Sequence, residues 1–395
     1  MAIVLFGDSF TFPEGNAATN HVYTYAKGFA ENGINVHVIC FKNEYLDEWE
    51  GITENVKFYH PFKQNRRSSF FIMRRWHTLA KYVRAFKLIR KINKNDKIVV
   101  INLWSYMFST QFFAFVLSRY CRAKLILERS EHPLQYYKKG HTVQQFYGSL
   151  RLRLEIKLYD GIFCISNYLV DFYKSRGYDY QRLFLVPSTV DTGRFNHNFS
   201  PRLPFKYILY CGALTIQKDG VDILIKSFYR VSGKFPDINL VLIGKGETFN
   251  NDEIGIRELV GSLNMEKRII FLGQVSRLDV PSYLSTAEVL ALARPRSIVA
   301  DAGFPSKLTE YLATGKPIVV TKVGEIPLYL KDNENAFLSE PDSVDAFANK
   351  LDYVLSNYQL AVHVSQRGKD LTKTVFNYNY QAGRMLDFIH SLWHA

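Results

Sequence analysis

Acidic residues are scarce in one half of this chain. Residues 1–200 hold 28 Lys+Arg against 16 Asp+Glu, whereas residues 201–395 hold 22 against 21. The net charge of +13 therefore arises almost wholly in the first half. Lys63 to Lys97 alone carries twelve basic residues and one acidic residue, Asp96. Cysteine is sparse as well. Cys40, Cys121, Cys164 and Cys211 lie far apart and share no metal-ligand spacing. That argues against a disulfide scaffold and reads as buried thiols of a reducing, cytoplasmic compartment. Long apolar runs are also lacking. Ile98 to Leu117 has no charge, but Asn102, Ser105, Ser109, Thr110 and Gln111 interrupt it, so it reads as a buried strand and a helix. No basic leader precedes Ile3-Val4-Leu5-Phe6, and no secretory signal is expected. Zinc-finger spacing and RNA-binding signatures are missing, so no nucleic-acid partner is expected.

What is present is ample core material. Apolar residues make up 47% of the chain, with 30 Phe and 25 Tyr, which rules out a disordered chain or a coiled coil. The basic stretch interleaves Phe70, Phe71, Ile72, Trp76, Leu79, Val83, Phe86 and Ile89. From Trp76 the spacing is helical, with an apolar stripe and a basic opposite face. Such a helix can lie on an anionic membrane surface, or dock on its own domain with the basic face in water.

The two halves repeat one plan. Ile3–Phe6 reads as a strand, followed by a Gly/Pro/Asn loop and a helix over 21–31 with Val22, Tyr25, Ala26 and Phe29 on one face; Val36–Cys40 is the next strand. Tyr207–Cys211, a loop through Gly220, a helix bearing Val221, Leu224, Ile225, Phe228 and Val231, and strand Leu240–Ile243 do the same. Strand, glycine turn, helix and strand form the unit of an open parallel sheet. The expected fold class is α/β, with two Rossmann-like doubly wound domains facing a central cleft. The expected domains are 1–197 and 205–374, with a helix over 375–395 packing back on the first. Asn196 to Pro204 reads as the linker.

Two loops of the second half suit an anion. Gly212 to Gly220 leaves a strand and opens a helix, and Lys218 adds a point charge there. Gly303-Phe304-Pro305-Ser306-Lys307 enters a short helix whose first amides, at Ser306 and Lys307, would meet phosphate, while Glu310 could accept hydroxyl hydrogen bonds from a ribose. A solvated lysine turn and a dipole-matched glutamate are the structural alternatives.

This second segment resembles the donor-binding signature of retaining glycosyltransferases of family 4, which have the GT-B fold. Gly303-Phe304, Glu310, Gly315 and Pro317-Ile318-Val319-Val320 fit it. The Lys218 loop resembles the family's Gly-Arg-Leu…Lys-Gly loop, and Val186 to Asp191 its Pro-Asn-Gly-Val-Asp segment. Gly244 sits in a segment like its preceding strand end, and Gln274 and Val275 in one like its base-contacting turn. The resemblance implies transfer of a sugar from a UDP- or GDP-sugar donor to a glycan or lipid-linked acceptor, with retained configuration, no covalent intermediate and no cofactor or essential metal. The lack of an Asp-x-Asp motif agrees on the metal. It implies an acceptor domain over 1–197 and a nucleotide-sugar domain over 205–374. It further implies a small-residue loop at Gly15 and Asn16 facing the donor, and a catalytic histidine near His132, with Glu131 beside it. Two departures stand out. Ala302 replaces the family's first Glu, and Ala213 its Arg. Arg294 or Arg296 could restore the cation. The rival reading is a catalytically silent scaffold that binds glycan or membrane. With the basic stripe, the implied place is the inner membrane face, peripherally bound, in surface polysaccharide or lipopolysaccharide assembly.

Overall fold

The computed structural model describes residues 1–15, 17–133, 148, 151–246 and 252–394. The chain forms two compact units, Met1–Thr189 with Tyr378–Ala395, and Val190–Asn377. The division falls upstream of the 196–204 stretch. Val190 donates to the Phe376 carbonyl at 2.9 Å, and Phe195 is buried, so this stretch of chain already belongs to the second unit.

The first unit carries eight strands, β1 (Ala2–Gly7), β2 (Asn35–Cys40), β3 (Glu50–Thr53), β4 (Val56–Tyr59), β5 (Ile98–Trp104), β6 (Lys124–Arg129), β7 (Gly161–Cys164) and β8 (Leu183–Leu185). Their order is β3-β4-β2-β1-β5-β6-β7-β8. Among the described residues, only the β3–β4 pair is antiparallel. Sequence reading misses these two strands. Their two-residue turn puts Glu54 and Asn55 at positive φ, and a glutamate there gives none of the usual Asn-Gly or Gly-Gly signal.

β1 is fully buried, as a central parallel strand covered on both faces must be. Helix Ala17–Glu31 packs Val22, Tyr25, Ala26 and Phe29 into the core, as its spacing requires. Helix Tyr378–Ser391 adds Ala382, Met385, Phe388 and Ile389 to the same core. Gly28 makes the close approach possible, because a Cβ there would lie 2.7 Å from the Ala382 Cβ. Each large side chain so buried contributes about 1.5–3 kcal/mol.

Helix Phe71–Asn95 buries Lys81, Ala85, Ile89 and Ile92. The upper part of the apolar stripe faces water instead: Ile72 is 79% exposed, Trp76 62%, and Leu79 and Val83 at least half. Among the described residues, no helix is long and apolar enough to cross a membrane.

The second unit has six parallel strands, β9 (Lys206–Cys211), β10 (Ile238–Ile243), β11 (Ile269–Gly273), β12 (Val289–Leu292), β13 (Ile318–Thr321) and β14 (Phe337–Ser339). Their order is β11-β10-β9-β12-β13-β14. The chain runs outward from β9 to one side and then restarts at β12 on the other. That is a topological switch point, where open α/β sheets leave a crevice at the carboxyl ends of the strands.

Candidate active site

Four turns leave the carboxyl ends of β9 to β12. Gly212 follows β9 and donates to the Ile243 carbonyl at 2.9 Å; Gly244 follows β10 and donates to Gly273 at 2.8 Å. Gly244 has φ of +132°, and a Cβ on it would sit 1.8 Å from the Gly212 oxygen. Only glycine fits there.

Helix Ser306–Thr314 begins beside the first turn, with Pro305 at its cap and no side chain capping its first amides. Lys307 extends from this end. A Cβ on Gly212 would come within 2.6 Å of the Lys307 Nζ. The ammonium donates to Asp219 Oδ2 at 2.5 Å and to the Tyr210 hydroxyl at 3.2 Å. Tyr210 also donates to Asp219, at 2.9 Å. Asp219 is 2% exposed. Burial alone would raise its carboxyl, but Lys307, then Arg294 and Lys218, hold it below the usual carboxylate range. Burial pulls the Lys307 ammonium down, and Asp219 opposes that. Three cations thus surround one carboxylate, next to an uncapped helix end. The charge excess and the amides together suit a diphosphate.

Sequence reading assigned the cationic role to Lys218, with Arg294 or Arg296 in reserve. The structure brings Lys218 and Arg294 to this cluster. Arg294 is buried and donates to the Val299 carbonyl at 3.1 Å. Arg296 turns outward, with Glu340 and Asp342 3.9–4.0 Å away. The Lys307 side chain and Asp219 were missed. Lys307 was read for its backbone amide, and nothing in the local sequence signals a partner 88 residues away.

Glu310 lies one turn further along the same helix. Its Oε1 accepts from Arg194 at 2.5 Å, and the other arm of Arg194 donates to the Arg277 carbonyl at 2.8 Å. Arg194 thereby ties Glu310 to the loop that holds Gln274 and Val275. It stands in a short turn, Thr192–Phe195, capped by Asp191, and only its place behind the Val186–Asp191 segment could have drawn attention to it. Gly303 and Pro305 are buried, and the Phe304 ring packs on Tyr329 and Phe376 at 5.6 and 5.4 Å. Ser306 starts the helix. Ala302 is fully buried, and Ala213 accepts from the Tyr210 hydroxyl through its carbonyl.

The other candidates belong to the first unit. Gly15 is exposed, and a Cβ on it would crowd the Thr11 and Thr19 hydroxyls at 2.2 Å. Asn16 lies outside the described residues. Glu131 is half-buried and His132 buried. The His132 ring lies 4.9 Å from Phe172 and 5.9 Å from Tyr168. Burial, then the Arg176 charge, lowers its pKa, which favours the neutral ring over the imidazolium. Among the described residues, no cluster of His, Cys, Asp and Glu could hold a metal ion.

Residues 18–194 match Glycosyltransferase Family 4, and residues 194–371 match Glycosyl transferases group 1. The chain joins a family 4 domain to a group 1 glycosyltransferase domain. An uncharacterized glycosyltransferase of Haemophilus influenzae is 27% identical over 169 residues, 42% of this chain and 44% of its own. A GDP-mannose-dependent alpha-(1-6)-phosphatidylinositol monomannoside mannosyltransferase of Mycobacterium tuberculosis is 23% identical over 214 residues, 52% of this chain and 54% of its own. The chain therefore spans about half the length of the curated relatives it matches. Anabaena Alr3699/HepE, solved with UDP and glucose, superposes with a TM-score of 0.71 at 15% identity, over 99% of this chain and all of its own. That likeness places the two Rossmann-like units among GT-B folds. The cationic cluster lies in the group 1 domain, and His132 in the family 4 domain.

Proposed function

We propose that the chain transfers a sugar from a nucleoside diphosphate donor to a hydroxyl of a glycan or lipid-linked acceptor, retaining configuration. The observation that carries this reading is the Lys307–Asp219 pair beside the Gly212 turn, with Lys218 and Arg294 adding charge. The diphosphate would lie against these cations and the amides of Ser306 and Lys307. They stabilise the charge that grows on the leaving group, which is the main electrostatic task of such a reaction. Glu310, oriented by Arg194, would accept the ribose hydroxyls, and the Gln274–Val275 turn would meet the base. The acceptor hydroxyl would attack on the side of the leaving group, with its proton passing to the departing phosphate and no metal in the step. Neutral His132 and Glu131 would position the acceptor in the family 4 domain.

A calorimetric titration with UDP, GDP, ADP and CDP, with and without chelator, tests this. One nucleotide should bind regardless of chelator, and Lys218→Ala should bind it about tenfold more weakly, the worth of one charge-assisted contact. No binding to any nucleotide would favour the silent scaffold that Ala302 and Ala213 suggest. UDP and GDP remain the leading donors, since one relative's name cites GDP-mannose and one fold neighbour was solved with UDP.

The proposed setting is the inner membrane face, in surface polysaccharide or lipopolysaccharide assembly. Support comes from the exposed Phe70, Phe71, Ile72 and Trp76 beside Arg74 and Arg75, and from Phe108 and Phe112 on helix Phe108–Cys121, which packs on helix Phe71–Asn95. The triple variant Ile72→Ser, Arg75→Glu, Trp76→Ser should leave phosphatidylglycerol vesicles at least tenfold more readily in co-sedimentation, because each residue contributes about 1 kcal/mol or more at an anionic surface. Unchanged sedimentation would remove this face from membrane contact.

A further inference from the structure

A second basic concavity lies in the first unit, on connections that the proposed reaction leaves unused. Its volume is about 680 Å³, and Arg153, Lys157, Arg176 and Arg182 line it. That is the size of a site for a small molecule. The connections leading into β7 and β8 build it. Its floor is firm: Tyr159 and Tyr178 are buried, and the Tyr178 hydroxyl donates to the Tyr159 carbonyl at 3.0 Å.

The charge here is out of balance. One carboxylate lines the concavity, Asp179, which lies 3.8 Å from Arg182. Glu155, which lies between Arg153 and Lys157 in sequence, turns inward to Arg129 and Arg151. It leaves Arg153 and Lys157 without a carboxylate partner among the described residues. Arg176 is held in place. Its guanidinium stacks 3.5 Å from the Phe172 ring centroid, and it donates to the Phe172 carbonyl at 3.2 Å. Four like charges converging on one concavity repel each other, and an anion relieves that repulsion. Arginine forks match phosphate oxygens in pairs.

The concavity also connects to a residue already singled out. Tyr168, Phe172 and Arg176 recur at four-residue spacing along helix Asn167–Lys174 and its end. His132 packs on the first two rings, and Arg176 on Phe172. From this arrangement we infer that the concavity is a second anion site, which takes the phosphate or diphosphate of a small molecule independently of the donor site. The phosphorylated end of an acceptor and a free phosphometabolite share this chemistry.

Inorganic pyrophosphate is the probe, titrated calorimetrically into the full chain. Three variants separate the sites: Arg153→Gln/Lys157→Gln in the concavity, Lys307→Met at the donor cluster, and Arg90→Gln/Lys94→Gln on an exposed helix face as a charge control. The concavity variant should lose at least tenfold in pyrophosphate affinity at one site. That site should persist in Lys307→Met and in the charge control. Should Lys307→Met lose nothing while the concavity variant still loses its site, the donor reading fails and this one stands. A concavity variant that binds like the parent chain overturns the inference, as does an equal loss in the charge control. Turnover separates the two sources. A pyrophosphate effect on acceptor-free donor hydrolysis that the parent chain shows and the concavity variant lacks assigns the site to a free effector; the same response in both proteins assigns it to the acceptor's phosphate.

Discussion

Lys307→Met should weaken nucleoside diphosphate binding by about 100-fold, or ~2.7 kcal/mol, with affinity for the free nucleoside unchanged. The reason lies in the geometry of one ammonium. It serves Asp219 and Tyr210 from beneath the Gly212 turn, at the end of a helix with uncapped amides. Removing it takes away the cation that lies against that turn. It also leaves Asp219 buried without its closest counter-charge, and breaking a buried pair in this way costs about 3–5 kcal/mol of stability. The double variant Lys307→Met/Asp219→Asn should therefore recover much of the thermal stability while affinity stays low. Calorimetric titration and thermal melts of both proteins check this. If Lys307→Met binds the diphosphate as the parent does, the ion pair is purely structural and the phosphate lies elsewhere.

Glu128→Gln should make the protein more stable at alkaline pH and leave it nearly unchanged in acid. Glu128 stands at the end of β6, 3% exposed, and neither carboxyl oxygen has a hydrogen-bond partner within bonding geometry. Burial pushes its pKa well up; the facing Tyr25 hydroxyl and the Arg129 charge only soften this. The folded state therefore keeps a proton that the unfolded chain releases in the ordinary carboxylate range. Stability is fully present below that range and falls as pH rises towards the folded pKa, by up to about 1.4 kcal/mol per pH unit. Glutamine has no proton to lose and removes the slope. Urea denaturation at pH about 5 and about 8 measures the difference directly. Equal slopes in both proteins would mean that Glu128 is ionised in the fold.

The parallel strands were legible because strands covered on both faces must be apolar without interruption, as in Ile3–Phe6 and Tyr207–Cys211. The β3–β4 hairpin at the sheet edge carries no such run and turns through a glutamate. The loops of the candidate site were legible as glycine turns at strand ends, but the partners of their side chains were not. Asp219 reads locally as one more polar residue before a glycine, and its meaning comes from a lysine that the fold brings across the sheet. Glu310 was visible, whereas Arg194, which orients it, lies 116 residues earlier in a short turn. Phe304 stood out as a motif residue, and the fold uses its ring to fill core space between Tyr329 and Phe376. Periodicity reports which face is buried; it is silent on which charges meet.

The helix that returns to the first unit has a topological consequence. Val190 and Asn377 bridge each other, so the second unit begins and ends at one place. It is a cassette inserted into the first unit between β8 and helix Tyr378–Ser391. The second unit could be exchanged at this single point with no cut through a strand of either sheet. The first unit cannot be made by simple truncation at Thr189, because Ala382, Met385 and Phe388 of its core would leave with the discarded end.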